Sequence, residues 1–144
     1  MRHIFLLLSL IYALNITSAA SDKPISFEQL PKKSQDLISS FFANNEIVKI
    51  SMDKELMDTE YEVVFSDGTK IEFDFNGVWK EIKAKGSCIA DKILHPSIAQ
   101  HINANHPEAC IEEIERDKHK TKVELSTGVE MIFNNKGEFI RYDD

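Results

Sequence analysis

The residue types able to do chemistry are few and scattered. After the first twenty residues the histidines are His95, His101, His106 and His119. None forms an i, i+4 pair, and none shares a short motif with Glu or Cys, so a helix-borne metal site is not indicated. Cys88 and Cys110 lack the Cys-x-x-Cys spacing of redox or zinc sites, and nothing around them marks a nucleophile. No serine sits in a nucleophile elbow, and no glycine run could cradle phosphate. Asp74-Phe75-Asn76-Gly77 opens like a calcium loop, but the later ligands of such a loop are missing, so it reads as a turn. Glu112-Glu113 is one acidic pair in a chain rich in them and reads as solvated. The expectation is a protein without catalytic residues, metal or cofactor.

The elements around these residues are more informative. Arg2 and His3 precede an apolar run from Ile4 to Ile16, and Ser18-Ala19-Ala20 places small residues before Ser21. This is the form of a cleaved secretion signal, residues 1–20, with a run too short to span a bilayer. No cysteine stands at the cut, which argues against a lipid anchor. No second apolar run follows, so a soluble periplasmic or secreted protein is expected, with no membrane insertion after cleavage. Of 17 basic residues only Arg2 is lost, and 16 basic against 24 acidic residues leave a formal charge of −8. A nucleic-acid partner is therefore not expected. Export permits a Cys88–Cys110 disulfide, worth about 3 kcal/mol for a loop of this size; two small buried side chains are the other reading.

The chain also resembles itself. Tyr61 to Gly68 aligns with Thr121 to Gly128, and Ile71, Phe73, Gly77 and Trp79 fall on Met131, Phe133, Gly137 and Phe139. Upstream, Leu30, Ile38, Ile47, Ile50, Asp53 and Lys54 fall on Leu94, Ile102, Ile111, Ile114, Asp117 and Lys118. Each copy reads as a helix followed by four short antiparallel strands. Ser26 to Gln29 has the form of a capping box, and Leu30, Ser34, Leu37, Ile38, Phe41 and Phe42 form one apolar stripe. The second helix, begun at Pro96 and stopped at Pro107, carries His101, Asn105 and His106 where the first has Leu37, Phe41 and Phe42. Asp67-Gly68 reads as a two-residue hairpin turn with both residues at positive φ, and Thr127-Gly128 as a weaker version.

The predicted fold is α+β: two tandem helix-plus-four-strand units, residues 21–86 and 87–144, with both helices on one face of a continuous antiparallel sheet. With Phe65, Ile71, Phe73, Val123, Met131 and Phe133 towards the helices, Glu62, Val64, Glu72, Asp74, Glu124, Glu130 and Ile132 lie on the other face. That face is either solvated or a docking surface. Trp79 alternates against Val78 and Ile82, and Phe139 against Ile140 and Tyr142. Either set fits the core, and Trp79 and Phe139 are candidates for the partner face.

The pattern Tyr61-x-Val63-x-Phe65-x-Asp67-Gly68-x-x-Ile71-x-Phe73-Asp74-x-x-Gly77-x-Trp79 resembles the hairpin signature of PepSY-like domains. More narrowly, it is similar to the β-lactamase-inhibitor-like, PepSY-like proteins secreted by Gram-negative bacteria. Val123 to Phe139 fits the same template with substitutions. Leu30-Pro31 matches the element found at that family's helix start, displaced by one residue in Leu94-His95-Pro96. The resemblance spans about residues 24 to 144. It implies a non-enzymatic binding module that inhibits or senses an envelope enzyme through its open sheet face. A small-ligand carrier with a pocket between helix and sheet is the alternative.

Overall fold

The computed structural model describes residues 22–84 and 86–143; the expected secretion signal lies outside the described residues. Strand β1 (Lys23–Pro24) leads through a 3-10 turn (Phe27–Gln29) into helix α1 (Lys32–Phe41). Strands β2 (Ile47–Glu55), β3 (Asp58–Phe65), β4 (Lys70–Phe73) and β5 (Trp79–Lys83) follow. A second 3-10 turn (Asp91–Ile93) precedes α2 (Pro96–Asn105) and strands β6 (Ile111–Arg116), β7 (Lys120–Leu125), β8 (Glu130–Asn134) and β9 (Phe139–Asp143). The nine strands form one open antiparallel sheet in chain order. The described residues are thus α+β, with two helices and a single sheet. Among the described residues, no helix is long and apolar enough to cross a membrane.

Strand alternation builds the core. Val63, Ile71, Ile82, Ile114, Val123 and Met131 stand opposite one another across six successive strands, all fully buried. Complete burial of each such side chain contributes roughly 1.5–3 kcal/mol. Helix α1 lays Ile38 onto this face, with the Phe42 ring beyond its end stacked 5.3 Å from Phe65. Helix α2 adds Ile98 and Ile102, while the His101 ring meets the edge of Phe133 at 5.5 Å. Both helices therefore cover the same side, and the core is one cluster.

The first helix departs from the sequence reading. Gln29 accepts a hydrogen bond from the Ser26 N–H at 2.8 Å, but this box closes only the 3-10 turn. A residue before proline is pushed out of the α region. Leu30 accordingly sits at ψ 149°, and α1 starts afresh at Lys32.

The turns also differ from expectation. Asp67 does not take positive φ; only Gly68 does, at +88°. The Gly68 N–H donates to Phe65 O at 3.0 Å, and the Phe65 N–H to Thr69 O at 2.8 Å. This is a tight turn closed by a left-handed glycine, the three-residue hairpin with a glycine bulge. The same bonds recur at Gly77, Gly128 and Gly137. Since the residue before the glycine keeps ordinary φ, Thr127 is as suitable as Asp67. Gly77 has a second duty: a Cβ there would lie 2.5 Å from Pro31 Cβ. The Ser34 hydroxyl donates to its carbonyl at 3.1 Å, clasping α1 to the sheet. Ser97 does the same for α2, donating to Gly137 O at 2.7 Å.

Candidate functional site

The side of the sheet away from the helices is lined by charged groups in register. Glu62, Glu72, Glu81 and Glu115 are successive cross-strand neighbours, as are Glu113, Glu124, Glu130 and Asp143. Like charges directly opposite are unfavourable, and interleaved lysines offset them. Lys70 lies 2.9 Å from Glu62 and 3.1 Å from Glu72. Lys83 lies 2.8 Å from Glu81 and 3.2 Å from Glu113. Lys122 lies 2.9 Å from Glu130 and 3.2 Å from Asp143, and Lys80 pairs with Glu60. Hydrogen bonds to these carboxylates raise the pKa of Lys70, Lys80, Lys83 and Lys122.

The compensation is incomplete in the middle of the sheet. Glu115 and Glu124 have no cationic partner within 4 Å among the described residues. The Glu115 carboxyl is held above its ordinary pKa, first by its hydrogen bond with Glu113 and then by burial. Oxygens of Glu81, Glu113 and Glu115 lie within 4.8 Å of one another, and no other such group of metal-ligating side chains occurs among the described residues. Beside them a depression of about 340 Å³ is lined by Glu72, Lys80, Glu81, Glu115 and Lys122, among others. Sequence reading overlooked Glu81, Glu115 and Arg116; the strand alternation that exposes Glu72 and Glu124 points to the two glutamates.

The residues chosen from sequence divide into two groups. Glu62, Val64, Glu72, Glu124, Glu130 and Ile132 lie on the helix-free side. Ile132 is nonetheless 4% exposed, between its cross-strand neighbours Lys122 and Arg141. Trp79 and Phe139 turn to the helix side instead, and the Asp74 carboxylate is taken up by its own turn. A β-bulge between Glu72 and Phe73 pairs Phe73 with Trp79 and turns the indole to the helix side, where it is 6% exposed. The matching bulge in β8–β9 pairs Phe133 with Phe139, whose ring stacks on His101 at 4.4 Å. An extra residue in the bulged strand reverses its phase. The three-residue spacing of Trp79 to Ile82 and of Phe139 to Tyr142 is the signal for it. Asp74 serves its turn, accepting the Asn76 and Val78 N–H groups at 2.9 Å each.

The histidines are dispersed. His95 bonds Ser97, His106 lies 3.2 Å from the Tyr142 hydroxyl, and buried His101 Nε2 has no hydrogen-bond partner. Cys88 and Cys110 form a disulfide, with Cα atoms 5.3 Å apart, joining the chain before α2 to the chain entering β6.

A helix-covered antiparallel sheet with one charged, uncovered face defines a two-layer α+β module. The sequence model of beta-lactamase-inhibitor-like, PepSY-like proteins matches residues 59–141, and the chain belongs to this PepSY-like family. Among solved structures, a candidate periplasmic protein of Bacteroides vulgatus is 36% identical, with TM-score 0.82 and 88% of this chain and 99% of that one covered. A candidate calcium-regulated periplasmic protein of Bacteroides thetaiotaomicron is 33% identical, with TM-score 0.82 and coverages of 85% and 97%. A second B. vulgatus periplasmic protein, of unknown function, is 26% identical, with TM-score 0.78 and coverages of 85% and 99%. Comparison with curated proteins gives no match.

Proposed function

We propose that the protein is an exported, non-enzymatic binding module of the periplasm. In this reading the signal is removed after Ala20, and two duplicated units, 21–86 and 87–144, present one docking surface. The helix-free face engages a basic region of an envelope or secreted protein, inhibiting or sensing an enzyme there. The observation that carries the reading is the surplus of carboxylate at Glu115 and Glu124 on an uncovered face. Fully exposed Leu56 and Met57, at the tip of the β2–β3 hairpin, add an apolar contact of the kind that anchors interfaces. The calcium of the B. thetaiotaomicron neighbour's name is not carried over: the Lys83 ammonium already lies against two of the three clustered glutamates.

The test is site-specific photocrosslinking in envelope extract, with probes at position 124 and at position 99 on α2. A partner captured from 124 and not from 99, lost at high salt and in the E115K/E124K double variant, is the expected outcome. Equal capture from both positions, or capture indifferent to the charge reversal, refutes the reading. The carrier alternative has one observation in its favour, a cavity of about 390 Å³ between the start of α2 and the sheet.

A further inference from the structure

Arg116, at the end of β6, feels the Asp74 carboxylate electrostatically but makes no contact ion pair with it. Its guanidinium carbon lies 3.6 Å from the centroid of the Trp79 ring, and its Nε–H donates to Trp79 O at 2.9 Å. Among the described residues no carboxylate comes within 4 Å of it, and no hydrogen bond engages its Nη groups. Every lysine on the helix-free face named above is paired by comparison. The same guanidinium and indole line the 390 Å³ cavity, together with Ile93, Ile98, Thr121 and Asn134. A volume of this order accepts a small organic molecule.

The lining narrows the chemistry. A guanidinium fixed through Nε and stacked on an indole still offers its Nη N–H groups, which suit two oxygens of one planar anion. Ile93, Ile98 and the Trp79 ring offer apolar area for a hydrocarbon body, and Thr121 and Asn134 offer polar contacts. Asp117 also borders the cavity, but its carboxylate accepts the His119 and Lys120 N–H groups at 2.7 and 3.0 Å. That nearby negative charge disfavours a dianion such as phosphate. Burial lowers the pKa of Arg116 and the Asp74 charge opposes that shift in part, which fits a cation held away from water with no carboxylate in direct contact.

We propose that the Trp79–Arg116 cavity binds an aliphatic monocarboxylate, either a free acid or the C-terminus of a peptide. The inference deepens the carrier reading. Arg116 stacks on Trp79 and borders both this cavity and the depression of the open face, whereas Glu124, the crosslinking position, lines neither, so failure of ligand binding leaves the open-face reading standing.

Trp79 is the only tryptophan of the chain, so its fluorescence reports directly on the cavity. The purified protein is titrated with N-acetyl-leucine, acetyl-Gly-Gly-Leu and the amides of both, with calorimetry alongside. Saturable change in Trp79 emission with the acids and at least about tenfold weaker binding of the amides is the expected result, since a charge-assisted bidentate contact is lost. Preference for the tripeptide over the acetyl amino acid assigns a peptide terminus, and the reverse a free acid. R116Q, and R116K, which keeps the charge but loses the fork, should each weaken the acids about tenfold while circular dichroism stays unchanged. Acids and amides binding alike, or no binding of either acid at millimolar concentration, overturns the proposal. The amide comparison needs no variant, so an unfolded R116Q does not spoil it.

Discussion

At the residue scale, the protein tolerates local unfavourable contacts on its open face and in the aromatic cluster beneath α2. Glu115 faces Glu81 across the β5–β6 pairing and shares a hydrogen bond with Glu113. Its pKa is raised in the folded state, so the folded chain holds this proton more tightly than the unfolded one. The stability it contributes is therefore present below the ordinary glutamate range and is lost as pH rises through the elevated value. Glu115→Gln should raise the melting temperature at neutral pH and flatten the stability curve just above the ordinary glutamate range. Thermal melts between pH 4 and 8 check this, and a variant melting below the parent at pH 7 contradicts it. The cluster was not legible in the sequence: Glu81 and Glu115 lie on different strands, and only the register joins them. The candidates Glu62, Glu72, Glu124 and Glu130 were legible, because one strand's alternation suffices to place them opposite Val63, Ile71, Val123 and Met131.

At the scale of elements, what sequence reading missed came from backbone irregularities that keep no period. The bulges of β4–β5 and β8–β9 turned Trp79 and Phe139 inward, and Pro31 split the first helix. The same inward turn bears on how firmly α2 is held. His101 and His106 replace Leu37 and Phe42, yet His101 stacks on Phe139 and His106 meets Tyr142 edge-on at 5.9 Å. Phe41, aligned with Asn105, is 37% exposed, so less apolar burial is forgone than composition suggests. A deficit remains, because His101 Nε2 is buried without a partner. The Cys88–Cys110 link braces the chain just ahead of α2, and in the chain-entropy model its loss costs about 3 kcal/mol. Reduction should therefore lower hydrogen-exchange protection in α2 and β6 more than in α1 and β2. Equal loss in both places would show that the bridge stabilises the whole chain rather than its C-terminal part.

At the scale of the molecule, the question is whether residues before and after the β5–β6 junction unfold together. Their direct strand pairing is short: Glu81 with Glu115, Ile82 with Ile114 and Lys83 with Glu113. The Ala84 N–H adds a bond to Glu112 O at 2.8 Å, and the Ile89 N–H one to Ile111 O at 2.9 Å. The outer pairs carry charge, whereas the central pair is fully buried and joins the row from Val63 to Met131 into one core. Cooperativity across the junction thus rests on apolar contact more than on hydrogen bonds. Ile114→Ala should cost about 2–5 kcal/mol, the range for truncating a buried aliphatic side chain. Because the cavity opens at the junction, protection at Val63 and at Val123 should fall together and the denaturant transition should stay single. A variant in which β2–β4 keep parental protection while β6–β8 lose theirs would mean that the sheet is continuous in geometry but divided in stability.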